Sequence, residues 1–167
     1  AFFELAICQI SMEGRRKDAL YSIGQAISLD PEVSEYHSVR SISLSMLDRR
    51  KDAMEEADEA IRLSPDSPLA FRAKARACMV AQDWGEAEKH VRTALSLDPD
   101  DSDAGNLLAS VLRLQGKMDE NADAVGKLLR ENPEDPFAHY NAGWAALQRS
   151  DCKTAELHFR EALRLNS

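Results

Sequence analysis

The sequence predicts an all-α fold, a right-handed α-solenoid (superhelix) of antiparallel helix-turn-helix units. Two observations carry this. A proline recurs at Pro31, Pro65, Pro99 and Pro133, each 34 residues after the last, closing the segments AISLDP, AIRLSP, ALSLDP and LLRENP. The next place in the series is Ser167, which closes ALRLNS, so a fifth unit is expected to end there. The apolar spacing inside each period is also helical. Ala19, Ile23, Ala26 and Ile27 recur as Ala87, Val91, Ala94 and Leu95, and again as Ala155, Phe159, Ala162 and Leu163.

Those repeated sets mark the second helix of each unit. Upstream of each lies another segment of helix length, set off by short breaks at Glu13-Gly14-Arg15, Gln82-Asp83-Trp84, Gln115-Gly116-Lys117 and Ser150-Asp151. The junctions Asp30-Pro31, Ser64-Pro65, Asp98-Pro99 and Asn132-Pro133 end helices, because the residue before a proline is driven out of the α region. Ser67-Pro68 and Asp135-Pro136 then read as an N-cap followed by proline in the first helical turn. The units so bounded are residues 1–33, 34–67, 68–101, 102–135 and 136–167, one array over 1–167.

Small residues recur where paired helices must approach closely. One column is Ala19, Ala53, Ala87 and Ala155, a second is Ala26, Ala60, Ala94 and Ala162, and a third, in the first helices, is Ser41, Ala75, Ala109 and Gly143. Asn121 and Leu128 break the columns in the fourth unit, and Ile7 breaks the third column in the first unit. Those two units are expected to be distorted helical pairs.

Composition bounds the function. With 44% hydrophobic residues, 167 residues suffice for a continuous core. There are 21 Lys and Arg against 29 Asp and Glu, so the mean field repels nucleic-acid backbone and no nucleic acid is expected as partner. Cys8, Cys78 and Cys152 are odd in number and far apart, which fits a reducing, cytoplasmic setting better than a disulfide framework. No apolar run reaches the ~18–20 residues of a membrane span, so direct membrane insertion is not expected. The chain opens on Ala1 and stops on Ser167 directly after an amphipathic stretch, which reads as a piece of a longer protein, including the soluble part of a membrane-anchored one.

The period, the small-residue columns and the closing proline resemble the tetratricopeptide repeat family across essentially the whole chain. The last unit, FAHYNAGWAALQRSDCKTAELHFREALRLNS, is its best copy, with Gly143, Ala155, Phe159 and Ala162 at the family's signature places. The resemblance implies units stacked around a concave groove lined by the first helices, serving as a protein-protein interaction scaffold rather than an enzyme. By the same resemblance, Trp84 is an aromatic of the helix-helix turn that packs into the core.

The face so implied carries Glu4 and Cys8, then Ser38, Ile42 and Ser45, then Arg72, Arg76 and Met79. It continues through Asn106, Ser110 and Arg113 to Phe137, Tyr140, Trp144 and Gln148. The candidate peptide-binding residues are Arg72, Arg76, Asn106, Ser110, Arg113, Phe137, Tyr140 and Trp144. A cationic strip in an acidic body favours an acidic or carboxylate-ended partner segment. Arg72 and Arg76 also read as solvated or paired side chains. The aromatic stripe reads either as peptide anchors or as packing for a following helix. The Lys, Asn and Arg clamp that chaperone adaptors of the family use on terminal carboxylates is present only in fragments, so heat-shock chaperone binding is not expected.

No catalytic residue, metal or cofactor is predicted. His37 and His139 share one repeat position, His90 and His158 another. Members of each pair lie two or three units apart, on the order of 20 Å or more at ordinary helix spacing, too far to share an ion. The cysteines lack a partner base, and the glycines are isolated rather than gathered in a phosphate-binding loop. The runs of Asp and Glu read as solvated helix faces. The expected function is therefore a scaffold that holds a peptide or partner protein in its groove, or a regulatory or substrate-recruiting arm of a larger enzyme or membrane-anchored protein. Repeat stacks need polar end caps, so homodimeric or end-to-end association is also expected.

Overall fold

A computed structural model of the chain describes residues 1–12 and 14–166. The predicted break at Glu13 and the closing position Ser167 lie outside the described residues. Ten α-helices are formed among those described: α1 Phe2–Ser11, α2 Arg16–Leu29, α3 Ser34–Ser45, α4 Arg50–Leu63, α5 Pro68–Val80, α6 Trp84–Leu97, α7 Ser102–Leu114, α8 Met118–Glu131, α9 Pro136–Gln148 and α10 Cys152–Leu165. They form two compact units, Ala1–Pro99 with α1 to α6 and Asp100–Ser167 with α7 to α10.

Local chemistry sets the helix ends. Ser67 and Asp135 cap α5 and α9, accepting from the amides of Ala70 and Phe137, with Pro68 and Pro136 in the first turn. Each odd-numbered helix from α3 onward is followed by a left-handed residue: Asp48, Gln82, Gly116 and Ser150, with φ of 56°, 65°, 74° and 60°. The next amide reaches back five residues, as Asp83 N does to the Cys78 carbonyl at 2.9 Å and Asp151 N to that of Ala146 at 3.0 Å. This closure ties off otherwise orphaned helix carbonyls. Among the described residues with positive φ, the glycines are Gly14 and Gly116, so elsewhere an L side chain tolerates the strained backbone.

In the Ala1–Pro99 unit, α1 pairs with α2, α3 with α4 and α5 with α6, while α3 also meets α2 and α5. Ala19, Ala53, Ala87, Ser41 and Ala75 are all fully buried at these crossings. Ile7 does not distort its pair by intruding. It is exposed, and Ala6, one residue earlier, is the buried contact in a core with Ile23, Ala26 and Val39. Ser41 Oγ donates to the Ala53 carbonyl at 2.8 Å, joining the small columns of α3 and α4 by a hydrogen bond. Trp84, expected in the core, instead opens α6 and is only half-buried.

In the Asp100–Ser167 unit the bulky column members are accommodated. Asn121 is fully buried and donates from Nδ2 to the Ala109 carbonyl at 2.7 Å, the reverse of the Ser41 arrangement. Leu128 fills the space opposite Gly105, where an added Cβ would stand 2.7 Å from Leu128 Cδ2. Ala109, Val125, Leu128, Ala138 and Ala142 make one core, with α9 packed against both α7 and α8. The closest approach is at Gly143, where a Cβ would lie 2.6 Å from the Phe159 ring.

These contacts set opposite expectations for added methyl groups. Gly143→Ala is expected to cost about 1–3 kcal/mol through overpacking against Phe159. Gly24→Ala, with nothing within 4 Å of the new methyl, is expected to gain about 0.5–1 kcal/mol in the interior of α2. Gln82→Gly and Ser150→Gly are each expected to stabilise by about 0.5–1 kcal/mol by relieving the left-handed strain. Urea denaturation of each variant reads all four, and a destabilised Ser150→Gly would contradict the strain assignment.

Candidate protein-binding face

The predicted site residues divide between the two units. Arg72 and Arg76 stand on α5 of the first unit, half-buried and already engaged by other groups of the chain, so neither is a free cation. Ser38 and Ser45 on α3, expected on the groove, are buried instead. The remaining six residues, Asn106, Ser110, Arg113, Phe137, Tyr140 and Trp144, lie on α7 and α9 of the second unit.

There the structure joins them in two groups. The first is a polar ladder between the helices. Asn106 Nδ2 donates to Asp135 Oδ2 at 2.6 Å, and the other Asp135 oxygen accepts the Phe137 amide at 2.8 Å. Asn141 Nδ2 donates to Asn106 Oδ1 at 3.2 Å, and Ser110 Oγ lies 3.0 Å from the Asn106 carbonyl and 3.3 Å from Asn141 Oδ1. With its acceptors and donors matched, this ladder fixes the register of α9 on α7.

The second group is aromatic and cationic. The Arg113 guanidinium lies over the Trp144 ring, 5.1 Å from its centroid. Trp144 in turn meets Phe159 of α10 edge-on at 6.0 Å, and Tyr140 lies 6.3 Å from Trp144 and 6.0 Å from Phe159. The stripe thus splits. Trp144 is half-buried beside Arg113, while Phe137 and Tyr140 are 63% and 45% exposed. Those two, with Pro136, Phe159, Ala162, Leu163 and Asn166, line an apolar hollow of about 380 Å³.

Sequence reasoning singled out the α7 residues but left Asn141, Asp135 and the α10 residues Phe159 and Leu163 out of the site. A signal for the first was available. Successive first helices touch at separations near one period, as the Asn141 side chain does with that of Asn106 and the Gln148 side chain with the Arg113 carbonyl, both 35 apart.

The histidines require a correction. Pairing equal repeat positions placed them too far apart to meet, whereas His139 and His158 occupy different positions of one unit, with their Nδ1 atoms 3.0 Å apart. His139 Nε2 also bonds the Pro133 carbonyl at 3.0 Å. His37 does the equivalent at Pro31, 2.8 Å away, with Glu56 on its other nitrogen at 2.8 Å. The ring centroids of His139 and His158 are 5.3 Å apart with the rings tilted by 40°, so one Nδ1 donates to the other. Among the described residues, no set of three or more His, Cys, Asp and Glu side chains could hold a metal. Burial pushes the Cys78 thiol up, away from thiolate chemistry, while Cys8 and Cys152 are exposed.

The family model for the tetratricopeptide repeat matches residues 72–136 and 122–167, together more than half of the chain. The chain belongs to the tetratricopeptide repeat family. Tetratricopeptide arrays are typically non-catalytic scaffolds, and membership of the family supports a protein-interaction scaffold here. Solved structures agree on the fold. The protein TTC0263 of Thermus thermophilus is similar at a TM-score of 0.89 and 15% identity, over 98% of this chain and 89% of that one. A MamA fragment of Desulfovibrio magneticus RS-1 follows at 0.71 and 19%, over 99% and 93%. YrrB, described as a tetratricopeptide protein with an unusual peptide-binding site, is similar at 0.64 and 18%, over 98% and 84%. Likenesses of this kind establish the all-α, right-handed solenoid class. No curated protein matches the sequence. No helix among the described residues of this tetratricopeptide chain is long and apolar enough to cross a membrane.

The histidine pair predicts a pH response. Burial, and then the His139 charge, hold the His158 pKa below its ordinary value, and burial lowers that of His90. The unfolded chain therefore binds more protons than the folded one below about pH 6.5, and stability is lost as pH falls. The urea midpoint is expected to drop between pH 7 and pH 5, and to drop less steeply in His158→Gln. Equal slopes for the two proteins would show that His158 carries none of the linkage.

Proposed function

We propose that this chain is a protein-binding scaffold whose α7 and α9 face holds a segment of a partner polypeptide without any covalent step. The observation that carries the reading is the exposure of Phe137 and Tyr140 beside the apolar hollow, in a fold whose other helix-crossing positions bury small residues. Aromatic side chains of this kind dominate binding hot spots, because they bring large rigid area at little entropic cost. Arg113 on the same face, within a chain of net charge −8, favours an acidic partner segment. The face serves equally in a free-standing adaptor and in a recruiting arm of a larger enzyme or membrane-anchored protein, and the separate cysteines favour a cytoplasmic setting.

A second reading, dimeric or end-to-end association, rests on the same hollow and on Leu163, which is 73% exposed at its rim. Light scattering at high concentration separates the two: a mass that stays monomeric removes the second.

The partner reading predicts that Phe137→Ala with Tyr140→Ala leaves the urea midpoint nearly unchanged, because neither exposed ring is essential to the core. The double variant is expected to lose proteins that the unmodified chain captures from a lysate of its source cells. Capture of the same set by both proteins would remove α9 from the binding face.

A further inference from the structure

Of the buried polar atoms in the Asp100–Ser167 unit that have no hydrogen-bond partner among the described residues, three belong to one patch: Arg113 Nε, Trp144 Nε1 and Gln148 Oε1. The patch is held together by the stacking of Arg113 on Trp144 and by Gln148 Nε2, which donates to the Arg113 carbonyl at 3.4 Å. Folded proteins leave few such atoms unmatched, and several on one surface patch mark a place where something else completes the set. The adjoining ladder of Asn106, Asn141 and Asp135 is by contrast already matched and has nothing left to offer.

The charge on this patch is equally unspent. Although the chain carries 29 Asp and Glu, no carboxylate among the described residues forms an ion pair with Arg113, whose neighbour is the Trp144 ring. The carboxylate of Asp135 is committed to Asn106 and the Phe137 amide. The unmatched set is thus two N–H donors and one oxygen acceptor, beside a guanidinium without a counter-ion. An extended polypeptide offers a carbonyl and an amide at each residue, and an acidic side chain offers the bidentate acceptor that guanidinium prefers. An apolar ligand would leave all three atoms unmatched, and a basic one would meet Arg113.

We propose that Arg113, Trp144 and Gln148 form a recognition site for an extended, acidic peptide segment, with Arg113 as a lid. Arg113 leaves the indole to pair with a carboxylate of the segment. The uncovered Trp144 Nε1 then donates to a main-chain carbonyl, and Gln148 Oε1 accepts a main-chain amide. The site rests on the reading of α7 and α9 as the binding face, and adds to it the chemistry of the ligand.

Panning a random nonapeptide library on the whole chain tests both and separates them. Each selected peptide is measured beside its copy with Glu and Asp changed to Gln and Asn, in a Trp84→Phe background where Trp144 alone reports fluorescence. Expected are acidic hits that weaken at least tenfold in the amide copies. Arg113→Gln should weaken the acidic hits to the same degree and leave the amide copies unaffected, and the two changes together should add nothing further. Trp144 emission should shift on binding, with Arg113→Gln starting from the shifted position. Gln148→Leu should weaken all hits alike, since it reads main chain. Hits without an acid requirement, or hits indifferent to Arg113→Gln in a variant of unchanged helicity, would overturn this site and leave the face. A library without binders would overturn both.

Discussion

Everything in this chain depends on how closely the two helices of a pair can approach, because a helix-turn-helix unit has no apolar interior of its own until its partner helix and its neighbour close over it. Fully buried Ala, Ser and Gly at the crossings permit that approach, and the Phe159 ring against Gly143 marks its limit. Where the small residue is lost, the structure compensates within the same pair. Leu128 is matched by Gly105, and the Asn121 Nδ2 group by the Ala109 carbonyl it bonds. The pair therefore still closes around a buried core in a unit whose columns are broken.

That spacing also determines what the functional face can be. First helices held one period apart place side chains 31 or 35 residues apart in contact, and these contacts are of two kinds. The Asn106, Asn141 and Asp135 ladder satisfies itself and fixes the register. The Arg113, Trp144 and Gln148 patch does not, and it sits beside exposed aromatic rings. A rigid matched support next to an unmatched surface is the arrangement that lowers the ordering cost of binding. The His139 and His158 pair serves a different end. It joins α9 to α10 while His139 anchors the Pro133 carbonyl, as His37 at the same repeat position anchors that of Pro31.

The repeat architecture was legible because proline spacing, small columns and helical periodicity are properties of sequence distance, which a regular helix converts directly into position. Fold class, helix pairing and the capping at Ser67 and Asp135 all follow from such local signals. So does the short list of first-helix residues from which the α7 and α9 face is drawn. The left-handed turn residue recurs at Asp48, Gln82 and Ser150 without a glycine to announce it, because backbone closure imposes that conformation on whatever side chain is present.

Tertiary structure alone decided the rest, since it depends on which side chains of different helices meet. Ser38 and Ser45 face inward although their spacing put them on the groove, and Arg72 and Arg76 are engaged although their charge suggested an open cationic strip. His139 found His158 through the packing of α9 on α10, a meeting that comparison of equal repeat positions could not detect. The sequence by itself determined the repeat and its helices, because those are set by local spacing and small-residue size. Which polar groups remained unmatched was decided only by the packed helices, because a hydrogen bond is satisfied by geometry across neighbours and not by residue type.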